Sequence, residues 1–141
     1  MIYNSEAGFR EIEHTADLEI EVWGTDMPSL FRQAAQGLYH LAQLEFVGEQ
    51  ENMPIRRIRL KSLDEGDLLV TFLNELLYLL EEENLVFECT DLEIGLDHTL
   101  EGLMHGFPVS SQSREIKAVT YHNLKIRESE DGFVVNIVFD I

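Results

Sequence analysis

The sequence predicts an α+β fold, a two-layer sandwich with two helices packed on one face of a mixed, mostly antiparallel β-sheet. Two observations predict the layers. Residues 28–44 and 68–80 carry apolar side chains at three- and four-residue spacing, as helices with a buried stripe do. The stretches before, between and after them read as strands, several with period-two alternation. A third observation sets the scale. The 141 residues, 45% hydrophobic and 26% charged, suit a single domain, 1–141, with its own core.

Taken in order, residues 9–23 read as two short strands broken at His14-Thr15-Ala16, and in the second Leu18, Ile20 and Val22 alternate with Glu19 and Glu21. Gly24-Thr25-Asp26 supplies a turn and a capping oxygen, and Pro28 falls in a first helical turn, where its missing N–H costs nothing. The first helix then buries Leu30, Phe31, Ala34, Ala35, Leu38, Leu41 and Ala42. Residues 53–63 are strand-like. Ser62 with Glu65 has capping-box spacing for the second helix, and Asp67 is another candidate cap. That helix, with Leu68, Leu69, Phe72, Leu73, Leu76, Leu77, Leu79 and Leu80, is too apolar for a single narrow buried edge, so it is expected at the centre of the core. Glu81, Glu82 and Glu83 close it against the helix dipole, at up to about 1 kcal/mol each. They read as a solvated end or as a docking patch for a basic partner. Strands are expected over 87–96, 100–107, 115–121, 124–129 and 133–140, with Asp131-Gly132 as a hairpin turn between the last two. Residues 106–113, with Pro108 and three serines, are the most loop-like stretch.

Twenty-seven acidic against ten basic residues give a formal charge of −17. Such a field repels a phosphate backbone, so direct nucleic-acid binding is disfavoured, whereas a basic protein surface or a divalent cation is attracted. Cys89 is the lone cysteine, which excludes an intramolecular disulfide and a zinc site built on paired cysteines and points to a reducing, cytoplasmic setting. No stretch approaches the roughly 18 apolar residues of a membrane span, so no membrane partner is expected.

Asp140 lies beside the α-carboxylate of Ile141, and two unit charges about 4 Å apart repel by roughly 4 kcal/mol at an effective dielectric of about 20. The apolar run at 133–139 is expected to hold this acidic end in the fold. A third carboxylate brought there would make an all-oxygen site for a hard cation. Asp17, at the junction between the 14–16 break and the second strand, is the candidate. The other reading is that Asp17 turns its own backbone and the chain end frays. Nothing local resembles a calcium-binding loop. The histidines His14, His40, His98, His105 and His122 have no zinc-like spacing. His14 and His122, at strand ends beside polar groups, are more interesting than His40 on the first helix. No nucleophile elbow, phosphate loop or dinucleotide fingerprint is present.

Four segments together carry a resemblance. They are Glu11-Ile12-Glu13-His14-Thr15-Ala16-Asp17 running to Trp23-Gly24, then Asp67-Leu68-Leu69-Val70-Thr71-Phe72-Leu73-Asn74-Glu75-Leu76-Leu77, then Ile116-Lys117-Ala118-Val119-Thr120-Tyr121-His122, and finally Asp140-Ile141. In this order the set resembles the archease family, small protein cofactors of the GTP-dependent RNA ligase that joins tRNA halves after intron removal or reseals other broken RNAs. The resemblance implies a chain that speeds transfer of GMP onto the ligase's histidine and permits repeated turnover without performing ligation itself. It also implies a bound divalent metal, Ca²⁺ first, with Mg²⁺ or Mn²⁺ as alternatives. The implied ligands are Asp17, Asp140 and the terminal carboxylate of Ile141, with His14, Lys117 and His122 as surrounding or partner-contacting residues. Two readings from other classes stand beside it: a metal-dependent hydrolase acting alone, and a chaperone-like acidic binding module.

Overall fold

The computed structural model describes residues 6–13, 17–48, 53–121 and 124–141. The break expected at 14–16, with His14, and the candidate His122 lie outside the described residues. In chain order the elements are β1 (Gly8–Ile12), β2 (Leu18–Gly24), α1 (Met27–Ala42), β3 (Leu44–Phe46), β4 (Ile55–Lys61), α2 (Glu65–Glu83), β5 (Leu85–Ile94), β6 (Thr99–Gln112), β7 (Ala118–Val119), β8 (Arg127–Ser129) and β9 (Gly132–Asp140).

The α+β class holds, with both helices against strands, but the single mixed sheet separates into two. One sheet runs β1-β2-β9-β7, with β8 also on β9, and the other runs β3-β6-β4, with β5 on the far side of β6. Among the described residues every pairing is antiparallel. Each helix touches strands of both sheets, α1 meeting β1, β2 and β5, and α2 meeting β4, β5 and β7.

Asp26 caps α1, its carboxylate accepting the Ser29 N–H at 2.8 Å, and Gln43 ends the helix in the left-handed region with φ 53°. α2 differs from expectation at its start. The cap is Asp64, whose carboxylate accepts the Asp67 N–H at 2.8 Å. Ser62 lies two residues before that cap, and its hydroxyl donates to the Thr71 hydroxyl at 3.4 Å and not to a first-turn N–H. Asp67 is the receiver of that cap and lies inside the first turn, where its charge suits the helix dipole. α2 does occupy the centre of the core: nine of its side chains are buried, and Phe72 meets Phe31 of α1 with ring centroids 5.6 Å apart. Burying each large apolar side chain contributes about 1.5–3 kcal/mol, which outweighs the three acids at its end. Of those acids, Glu83 is neither idle nor free, because both its oxygens accept from the Arg56 guanidinium.

Residues 106–113 are not a loop. β6 continues to Gln112, and the unexpected β3 pairs with it through Leu44↔Gln112, Glu45↔Ser111 and Phe46↔Val109. The backbone around Pro108 stays paired, since its carbonyl accepts the Val47 N–H at 3.1 Å and the neighbouring Val109 N–H donates to the Asn84 carbonyl at 2.8 Å. The strand expected over 115–121 shrinks to Ala118–Val119, and that over 124–129 to Arg127–Ser129. The expected hairpin closes with Ser129 opposite Gly132, whose φ is 143°.

Candidate functional site

β9 is flanked on both sides at its carboxyl end. On one side β2 pairs with it so that Leu18 lies opposite Phe139. Asp17 precedes Leu18 and Asp140 follows Phe139, so both acids sit at the same end of adjacent strands. On the other side Ala118 lies opposite Asp140, and the Lys117 N–H donates to the Asp140 carbonyl at 2.8 Å. The end of β9 is thus held in the sheet by two neighbours and does not fray. By this register Asp17, Asp140 and Lys117 lie at the same end of three adjacent segments, with Ile141 next in the chain, and all four are exposed. His14 and His122 lie outside the described residues.

Alternation explains why the acids face outward. Ile20 and Val22 of β2 and Val135, Ile137 and Phe139 of β9 are 0% exposed and point at the helices. Glu19, Glu21, Asn136 and Asp140 alternate with them and fall on the opposite face. There Arg127 donates to the Asn136 Oδ1 at 2.9 Å, and Asn136 Nδ2 donates to Glu19 at 2.8 Å, a polar bridge across β8, β9 and β2.

The side chains at the tip fit a hard cation in chemical type, since the Asp17 and Asp140 carboxylates offer only oxygens. Among the described residues, no three His, Cys, Asp or Glu side chains gather in a cluster able to hold a metal ion.

Two features were missed from the sequence. The first is the contact between α2 and the segment leading to the tip. Asn74 Oδ1 accepts the Val119 N–H at 3.0 Å, and the Tyr121 phenol hydrogen-bonds the Asp67 carboxylate, which together with desolvation pushes the phenol above its ordinary range. The signal was present as three polar residues, Asp67, Thr71 and Asn74, at helical spacing in an otherwise apolar helix. The second is a groove of about 790 Å³ between α1 and the four-stranded sheet, lined by Arg32, Tyr39, Phe46, Phe87, Cys89 and Phe107 among others. It shares no residue with the acidic tip. His40 is exposed on α1 beside Phe9, with ring centroids 5.6 Å apart.

Fold and tip define a class: a small acidic α+β domain of two antiparallel sheets, with carboxylates collected where the last strand ends between two neighbours. The archease protein family matches residues 9–141 of the chain. The chain belongs to the archease family. Protein archease of Methanosarcina acetivorans is 31% identical over 142 residues, covering 94% of this chain and 95% of that protein. Protein archease of Saccharolobus islandicus is 35% identical over 138 residues, covering 94% and 98%. The solution structure of protein 1598 from Methanobacterium thermoautotrophicum has the same fold, with a TM-score of 0.71 at 23% identity, over 95% of this chain and 99% of that one. No helix among the described residues is long and apolar enough to cross a membrane.

Proposed function

We propose that this chain works as a single-domain protein activator of a GTP-dependent RNA ligase, promoting guanylylation of the ligase and its repeated turnover. Asp17, Asp140 and the Ile141 carboxylate would hold a divalent cation, Ca²⁺ in the first instance and Mg²⁺ or Mn²⁺ otherwise. The observation that carries the reading is that a chain of the archease family brings Asp17 and Asp140 to one end of neighbouring strands, with Ile141 next in the chain. Carboxylates collected there repel one another by kilocalories in a partly shielded setting, and a bound cation offsets that repulsion. The ion would supply a fixed positive charge at an otherwise negative tip.

Lys117, His14 and His122 are the remaining candidates around the ion or against the partner. A chain of net charge −17 meets a ligase through the ligase's basic surface and does not compete for its RNA. The setting is cytoplasmic, consistent with a lone cysteine that is buried. The test is a guanylylation assay of the cognate ligase with GTP, comparing the parent with Asp17→Ala and Asp140→Ala proteins whose folding is checked by circular dichroism. Each variant should stimulate at least about tenfold less than the parent. Parent-level stimulation by either folded variant would sink the reading.

A further inference from the structure

α2 is the most apolar helix of the chain, yet one of its faces carries Asp67, Thr71 and Asn74, at positions i, i+4 and i+7. All three are half-buried, so they do not simply solvate the helix. Each is engaged by the short segment between β6 and β8. Asn74 Oδ1 accepts the Val119 N–H at 3.0 Å, and the Tyr121 hydroxyl faces the Asp67 carboxylate and the Thr71 hydroxyl, which also accept the Leu63 N–H and the Ser62 hydroxyl at 3.4 Å each. Val119 is 4% exposed, so its N–H has little access to water, and Asn74 is what satisfies it.

The other side of the same segment grips the end of β9. The Lys117 N–H donates to the Asp140 carbonyl at 2.8 Å and the Thr120 N–H to the Val138 carbonyl at 3.0 Å. A strand of two residues has little pairing of its own to keep it in place. Its position therefore depends on what lies behind it, and behind it is the polar face of α2.

We propose that Asp67, Thr71 and Asn74 form a docking stripe that fixes the Lys117-to-Tyr121 segment, with Asn74 the positioning residue that sets Lys117 and Asp140 at the acidic tip. The link to cation binding rests on the reading of the tip given above; the placement of the segment does not. Asn74 touches no proposed ligand and acts through Val119.

The test uses the full chain as parent, Asn74→Ala, Asn74→Asp and Tyr121→Phe. Asn74→Asp keeps an acceptor for the Val119 N–H, and Tyr121 is 59% exposed, so Tyr121→Phe removes the phenol without opening the core. In metal-free protein, amide hydrogen exchange at Lys117 and Thr120 should quicken by about tenfold or more in Asn74→Ala and by less in Tyr121→Phe. Exchange at Ile20 and Val135 should stay at the parent rate, and Asn74→Asp should restore protection. Unchanged exchange at Lys117 in Asn74→Ala overturns the proposal, and if that variant does not fold, unchanged exchange in Tyr121→Phe does so instead. A Ca²⁺ titration of the same proteins then tests the link. Asn74→Ala should bind about tenfold more weakly than the parent. Parent-like affinity alongside loosened amides would remove the link to the tip. A parent that binds no Ca²⁺ would refute the metal reading alone, with the exchange rates still deciding the role of Asn74.

Discussion

Gly132 pairs with Ser129 at the β8–β9 hairpin with a φ of 143°, a backbone conformation that side-chain-bearing residues rarely adopt. A Cβ there would fall on the Gly24 carbonyl oxygen and 2.8 Å from the Thr25 Cα, and backbone atoms cannot swing aside as a side chain can. Gly132→Ala therefore carries two penalties: about 1–3 kcal/mol for the strained backbone and about 1–3 kcal/mol for the intrusion. Reduced freedom of the unfolded chain offsets about 0.4–1 kcal/mol, which leaves a net loss of about 1–6 kcal/mol. Urea unfolding followed by circular dichroism reads this directly. With a mid-range slope of about 2 kcal/mol per molar urea, the midpoint should fall by about 0.5–3 M. Gly48→Ala is the control, since a Cβ there meets nothing within 4 Å, and its change should stay within about 0.5 kcal/mol. A Gly132→Ala protein as stable as that control would refute the close approach of β9 to the turn after β2.

The corrected cap of α2 predicts that Asp64→Ala costs about 1 kcal/mol while Ser62→Ala costs less than about 0.5 kcal/mol, measured by the same unfolding curves; the reverse order would restore the capping box at Ser62. Burial pushes the Cys89 thiol up to about 12, so native protein at pH 8 should resist iodoacetamide and react only in urea, and fast native labelling would show the groove wall to be open. The Ser29 N–H holds the Asp26 carboxyl below its ordinary value of 3.8. A depressed folded value means the charged cap stabilises above that range and its benefit is lost as pH falls through the folded value. Asp26→Asn keeps an acceptor without the charge, so its stability deficit at pH 7 should shrink towards zero in acid; a deficit that grows on acidification would be the contrary result.

Local pattern reached the elements that local chemistry determines. Asp26 and Pro28 announced α1, the leucine spacing announced α2, and Asp131-Gly132 announced the last hairpin. What escaped was pairing between distant segments. Leu44 to Phe46 continue the apolar spacing of α1 and become a strand only because residues 109–112 lie beside them, a stretch whose proline and serines read as a loop. The division into two sheets is likewise a matter of partner choice, to which alternation is blind. The tip is the extreme case. Asp17 and Asp140 lie at one end of the sheet through a register between the second strand and the last, so no motif spacing exposes them; the acidic chain end and the strand break made them candidates, and the likeness of four separated segments to the archease family pointed to the same residues. Asn74 stood inside one of those segments, but its role needed the partner N–H of Val119 to become visible.

Titration calorimetry of the metal-free protein with Ca²⁺, parent against Asp17→Asn and Asp140→Asn, bears most directly on the acidic tip. One ion per chain is expected for the parent, with affinity lowered by at least about tenfold in each variant, because each loses a charged oxygen donor and keeps its shape. Undiminished binding in the Asp140→Asn protein, or no binding by the parent to Ca²⁺, Mg²⁺ or Mn²⁺, would contradict it.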